Sequence, residues 1–320
     1  MATKEGIKQS KFKKQNGKCA LSGADLIPDS KLIDAHRLKD KRHGGELSHQ
    51  NASVVEPVAH MIKHGNLRIR TDKNIRLKQI VDEREHAIRI HLKINNQLLA
   101  YKRAVDHLDQ RTVDFLQSQA ESAENHRKLV DKDLSGLLKE MRDDDPLIRS
   151  AMELKGIGPV SVAYCIVYID LEKARHASSL WSYTGLDKAS HERYEKNVAG
   201  GGNKRLRTIL YTMADSQVKG RERGAPYAVV YDRTKARLEK SEKVTKSRNT
   251  QGKLIECMWK DTKPSHRHGA ALRAVMKHFL ADYWYVGRSL MGLEVGPLYP
   301  EAVLGGSHRT IMPEERGWKY

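Results

Sequence analysis

Between Thr71 and Glu140 the chain has no proline and only one glycine, Gly136. A stretch of that length without breakers favours helix, because proline and glycine are the residues that most penalise a helix interior. Ile80, Ala87, Ile94, Tyr101, Leu108 and Phe115 recur every seven residues, and Leu98 and Val105 fill steps of four and three between them. That is a heptad seam, interrupted at Arg84 and His91. A second seam, Val130, Leu134, Leu137 and Met141, follows a polar stretch from Gln117 to Asn125, where the chain is expected to fold back. Two readings stay open. The helices form a coiled-coil stalk that joins subunits into a homodimer or higher oligomer, or they form a hairpin packed on their own chain. The first is the expectation, since sustained heptads usually find a partner helix. Asp143-Asp144-Asp145-Pro146 ends the region.

Charge narrows the function. Lys and Arg number 58 against 40 Asp and Glu, a formal net charge of +18 with a pI near 9.7. Such a balance suits a polyphosphate partner, with DNA as the default. Three widely spaced cysteines, Cys19, Cys165 and Cys257, offer no disulfide framework and fit a reducing compartment. The start of the chain lacks an apolar signal region, and no apolar run of about eighteen residues occurs, so a soluble, cytoplasmic protein without membrane contact is expected. The first thirty residues carry Lys4, Lys8, Lys11, Lys13, Lys14 and Lys18 and read as a solvated arm with non-specific phosphate attraction.

From Asp34 to His64, five histidines stand beside Asn51 and acidic residues. Such density points to metal chemistry. His60 and His64 are i and i+4, so on a helix both imidazoles leave one face and can converge on one cation. The order His36, Asn51, His60, His64, preceded by Lys18-Cys19-Ala20-Leu21-Ser22-Gly23, resembles an HNH endonuclease, a small ββα-metal domain. The resemblance implies that His36 ends a strand and is the general base, that Asn51 orients the loop, and that His60 and His64 are the metal-side pair. Asp34, two residues before His36, is a further candidate ligand. Histidine suits the base role because its unperturbed pKa is roughly 6.5. Mg²⁺ or Mn²⁺ is the implied cofactor. Many HNH members fold around a zinc held by two cysteine pairs; here Ser22, Glu56 and Ala59 stand where partners of Cys19 would be, so no structural zinc is expected.

Beyond the stalk, Leu154-Lys155-Gly156-Ile157-Gly158-Pro159 sits between apolar segments and resembles a helix-hairpin-helix, whose glycines admit a phosphate near a helix N-terminus. It is followed by Leu180-Trp181-Ser182-Tyr183-Thr184-Gly185-Leu186, then Gly202-Asn203-Lys204-Arg205-Leu206-Arg207, then a helix from Ala270 to Leu290. This order is similar to the C-terminal domain of the insertion-sequence transposases that carry a ribonuclease-H-like Asp-Glu-Asp-Asp domain and a coiled coil, the bridge-RNA-guided recombinases. The resemblance implies DNA binding through Gly156, Gly158, Lys204, Arg205 and Arg207, and it raises a guide RNA as a partner. In that family a serine between the two blocks, usually followed by glycine, attacks DNA. Ser190 is the serine of that interval here, but His191 follows it, and a loop or capping role is the alternative.

Three further segments carry weaker expectations. Arg233 to Arg248 reads as a basic solvated face or a strip tracking a DNA backbone, His266-Arg267-His268 as a polar helix start, and Tyr283-Trp284-Tyr285 as core. The expected architecture is mainly α, with an HNH head (1–66), coiled-coil helices (67–145), an all-α helix-hairpin-helix domain (146–295) and an irregular C-terminal arm (296–320). The expected activity is phosphodiester hydrolysis in DNA, with a mobile-element recombinase acting through Ser190 as the alternative.

Overall fold

A computed structural model describes residues 4–21, 23, 25–26, 34–38, 48–55, 72–104, 109–187, 202–248, 251–297 and 311–320. The chain divides into two compact units, Met1–Lys78 and Gln79–Tyr320. It is mainly helical, as expected.

In the first unit, α1 (Lys4–Lys14) packs on a two-stranded antiparallel sheet of β1 (Asp34–Arg37) and β2 (Ala52–Val55). The lysine-rich start is therefore not a solvated arm. Ile7 and Lys8 of α1 are buried, because a lysine stem can line apolar surface while its ammonium reaches out. The helix stops at Asn16 and Gly17, both of which take positive φ, and Phe12 lies against Gly17. Cys19, Leu26, Val54 and Val55 form the core, with Phe12 and Leu21 against it. The edge of β2 is satisfied by a side chain. The Gln15 amide nitrogen donates to the Val54 carbonyl at 2.9 Å, and its oxygen accepts from the Val54 N–H at 2.8 Å.

The second unit contains most of α2 (Asp72–Ala104), then α3 (Gln110–Arg142). The polar stretch Gln117–Asn125 lies inside α3 and not at a bend. Helix α2 is described to Ala104, and Asp109 caps α3 by accepting from the N–H groups of Arg111 and Thr112. A polar run signals a bend only when no cap competes, and the Asp-x-x-Thr at 109–112 supplies one. Val105 and Leu108 lie outside the described residues.

The two helices run antiparallel on their own chain. Glu83 accepts from His126 at 2.8 Å, Arg84 pairs with Asp131 at 2.6 Å, and His91 Nδ1 meets the Ala120 carbonyl at 3.1 Å. A carbonyl only accepts, so His91 carries its proton on Nδ1 and Nε2 accepts from Asn95. Arg84 and His91, the apparent breaks in the seam, thus face the partner helix, while Phe115 is 63% exposed. Within the second unit Val81, Arg84 and Ala87 on α2 and Ala120, Val130, Leu134, Leu137 and Leu138 on α3 are buried, with Arg84 and His91 satisfied by Asp131 and the Ala120 carbonyl.

Asp145 caps α4 (Pro146–Glu153), so the acidic run both ends one helix and starts the next. Then follow α5 (Pro159–Tyr168), α6 (Ala177–Tyr183), α7 (Lys204–Lys219) and α8 (Ala228–Glu239). A ribbon of β3 (Val244–Arg248) and β4 (Leu254–Met258) precedes α9 (Pro264–Leu290). No strand signal stands in the sequence there, because Val-Thr-Lys-Ser-Arg and Leu-Ile-Glu-Cys-Met build no buried apolar face. Helix α9 is the axis of the unit, packing on α4, α6, α7 and α8 through Leu272, Val275, Met276, Phe279, Leu280 and Tyr283. Trp284 is 1% exposed and donates to the Ala174 carbonyl at 2.6 Å, so the aromatic run is core as expected. The expected irregular arm ends otherwise. Residues 311–320 dock on this core with Arg316 and Trp318 buried, since a tryptophan and an ion pair supply contacts that glycine and proline counts do not reveal.

Candidate functional site

In the first unit the ladder sets the positions of two predicted residues. His36 lies opposite Ser53, and just past the paired strands the Leu38 N–H donates to the Asn51 carbonyl at 3.3 Å. Asn51 is held in turn by Ser48, whose Oγ accepts from the Asn51 N–H at 3.1 Å. Asp34 heads the same strand, opposite Val55. His60 and His64 lie outside the described residues. Among the described residues no group of three or more His, Cys, Asp or Glu gathers as a metal site. Cys19 is 3% exposed inside the apolar cluster with Val54.

In the second unit, the helix-hairpin-helix expectation meets a turn of residues 154–158 between α4 and α5. Gly156 takes φ of +79°, and a Cβ there would stand 2.6 Å from Gln217 Nε2. Gln217 is fully buried, donates to the Lys155 carbonyl at 2.9 Å and accepts from the Tyr227 N–H at 3.1 Å. Gly156 is thus demanded by an interior amide. Gly158 has no atom within 4 Å of where its Cβ would be, so the start of α5 is open to an approaching group.

The predicted basic block splits by environment. Asn203 caps α7, its side-chain oxygen accepting from the Leu206 N–H at 3.0 Å, while its amide donates to the Tyr183 hydroxyl. Lys204 is exposed. Arg205 is 44% exposed at its side chain and faces Glu85 and Asp82 across 3.7 and 3.6 Å, with the Tyr168 hydroxyl at 3.3 Å. Burial pushes the Tyr168 phenol above its ordinary range, and Arg205 works against that. Arg207 is buried and donates to the carbonyls of Thr184 and Gly185, so it braces the turn from within.

This bracing closes a neck. A Cβ on Gly202 would fall 2.4 Å from the Gly185 backbone nitrogen, and the Asn203 N–H donates to the Tyr183 carbonyl at 2.7 Å. The described backbone on either side of the interval that contains Ser190 therefore lies together at Gly185 and Gly202, with the Asn203–Tyr183 and Arg205–Tyr168 pairs on the adjoining helices. Ser190 itself lies outside the described residues. Sequence reasoning passed over Glu85, Tyr164, Tyr168 and Gln217. Tyr164 donates to Glu85 at 2.6 Å and lies 3.3 Å from Arg84 Nη1, tying α2 to α5. Only a tertiary contact reveals these, although Tyr164 and Tyr168 at i and i+4 already mark one face of α5.

Among the described residues no helix is long and apolar enough to cross a membrane. No curated protein matches the chain. Residues 149–228, which run from α4 through the hairpin, the neck and α7 to the start of α8, match the model of the transposase IS116/IS110/IS902 family, so this part of the chain is a transposase-like domain.

Proposed function

We propose that the protein is an HNH-type DNA endonuclease whose transposase-like domain binds the substrate. The observation that carries this reading is the β1–β2 register, which sets His36 opposite Ser53 and bonds Leu38 to Asn51, the hairpin an HNH site requires ahead of its helix. His36 takes the proton of a water as the oxygen attacks phosphorus. The P–O bond to the leaving strand end breaks, and the departing oxygen takes a proton from solvent. Asn51, bonded through its backbone to both Leu38 and Ser48, keeps the loop in register. Asp34 would offer an oxygen donor to Mg²⁺ or Mn²⁺, and the imidazoles of His60 and His64 are nitrogen donors that suit Mn²⁺ better than the oxygen-preferring Mg²⁺. When bound, such an ion stabilises charge on the phosphate oxygens and the leaving group. Gly158, Lys204 and Arg205 supply outward phosphate contacts, while Gly156 and Arg207 shape the surfaces that carry them. Nicking of plasmid DNA with Mg²⁺ present tests the proposal. His36→Ala is expected to abolish cutting with DNA affinity retained, and chelation to stop the wild type; undiminished cutting by the variant overturns it.

The neck favours a second reading. A recombinase needs its nucleophile on a segment anchored at both ends, and Gly185 and Gly202 provide that anchor for the Ser190 interval. There the Ser190 Oγ bonds to phosphorus, its proton passes to a base, and the strand end leaves, producing a covalent adduct that Ser190→Ala abolishes. A guide RNA belongs to this reading and is tested by sequencing copurified nucleic acid. Pairing of subunits is supported by Leu92, Leu99 and Phe115, which are exposed on the α2–α3 hairpin, and light scattering tests it.

A further inference from the structure

The second unit holds a pocket that neither mechanism uses. It measures about 250 Å³ and lies between α8, α9 and the base of the β3–β4 ribbon. Arg237, Lys243, Arg273 and Lys277 line it with Ser241 and Trp259, and no carboxylate is among its described lining residues. Four cations around one small cavity, with Asp187 as the acidic group acting on Lys277, leave a net positive charge that an anion can balance. Lys277 is partly sunk, with its ammonium 5.4 Å from the centre of the Trp181 ring, and that indole donates to the Lys277 carbonyl at 3.0 Å. Burial pulls the Lys277 ammonium below its ordinary range, Arg273 adds to this, and Asp187 opposes it.

The aromatic wall is fixed in place. The Trp259 ring lies against His266 with ring centres 5.1 Å apart, the Trp259 backbone N–H donates to the Lys243 carbonyl at 3.0 Å, and Arg267 donates to the Lys260 carbonyl at 3.0 Å. The ribbon beyond it exposes Val244 and Leu254, at 66% and 56%, among the lysines Lys246 and Lys253. Cations beside an immobilised indole, under an exposed basic and apolar ribbon, match what single strands require, a backbone track with a platform for a base. An inorganic anion uses only the cations, and a duplex keeps its bases stacked away from any side chain.

We propose that this pocket binds one unpaired nucleotide of a nucleic-acid strand, its phosphate held by Arg237, Lys243, Arg273 and Lys277 and its base laid against Trp259. The proposal rests on the reading of this domain as a nucleic-acid binder. Fluorescence anisotropy with the full chain tests it, using a labelled single strand of about twelve nucleotides, in DNA and RNA form to tell the two sources apart. Trp259→Ala weakens single-strand binding about tenfold. Arg237→Gln and Lys277→Gln each flatten the salt dependence by about one unit of slope. An abasic strand binds the wild type as weakly as the intact strand binds Trp259→Ala. Should Trp259→Ala fail to fold by circular dichroism, Trp259→Leu and the two charge variants carry the test. Single-strand affinity and salt slope unchanged in all variants, with duplex binding intact, overturns the pocket and leaves the domain reading standing. A wild-type chain that binds no nucleic acid of any form overturns both.

Discussion

Arg316 and Asp282 form an enclosed ion pair that fastens residues 311–320 to α9. Asp282 is wholly buried and Arg316 is 7% exposed. The carboxylate also accepts from the Tyr227 hydroxyl at 2.6 Å, and that hydroxyl accepts from the Trp318 indole at 2.8 Å. Both Asp282 oxygens, Arg316 Nε and Nη2, the Tyr227 hydroxyl and the Trp318 indole all have partners, which is the condition under which a buried pair holds a structure in register.

Removing one partner alone strands the other. Arg316→Met is expected to destabilise the second unit by about 3–5 kcal/mol, because Asp282 is left as an uncompensated buried charge. Arg316→Met with Asp282→Asn recovers part of that loss. Urea denaturation followed by tryptophan fluorescence measures both, and a single-variant loss under about 1 kcal/mol contradicts the account.

Gly156→Ala places a methyl group 2.6 Å from Gln217 Nε2 at a φ of +79°. The expected cost is about 1–3 kcal/mol. Adding Gln217→Ala removes the clash but leaves the strain and frees the Lys155 carbonyl and Tyr227 N–H, so the two losses do not add. A thermal-melting double-mutant cycle reads this directly. Exact additivity would mean the two residues do not meet.

At the neck, Gly202→Ala forces residues 184–185 and 202 apart, since the added carbon falls 2.4 Å from Gly185 N and 2.9 Å from Thr184 C. Any adduct formation through Ser190 is expected to fall at least tenfold, while plasmid nicking through His36 persists. The same substitution thereby separates the two functional readings, and equal loss of both activities would show a general folding defect.

Acid acts on the hairpin through Glu124. Its hydrogen bonds from Arg127 pull the carboxyl down to about 2 from 4.5. A carboxylate lowered on folding stabilises the native state above its unfolded pKa, and that contribution disappears as pH falls from about 4.5 toward 2. Arg127 also pairs with Asp131 at 2.6 Å. Arg127→Met is expected to flatten the pH dependence of hydrogen exchange in α3 across that window, while the wild type loses protection. Parallel profiles would remove Glu124 from the explanation. The pair is partly exposed, so the effect is small and screened by salt.

Much of the architecture is legible in the residues themselves. Helix is a local property, and the breaker-free run from Thr71 announces its helices without help from the rest of the chain, as Asp143-Asp144-Asp145-Pro146 announces their end. The transposase-like blocks were readable for the same reason, being short segments whose glycines and caps have local causes. What only the tertiary structure decided is pairing and burial. Arg84 and His91 look like faults in a seam until Asp131 and the Ala120 carbonyl stand opposite. Arg207 looks like a phosphate ligand until Gly185 closes over it, and the last ten residues look like an arm until Trp318 meets Tyr227. A charge or an indole carries no mark of its partner in the sequence. Whether it faces water or the interior depends on contacts between residues far apart in the chain, and those exist only once the helices have packed.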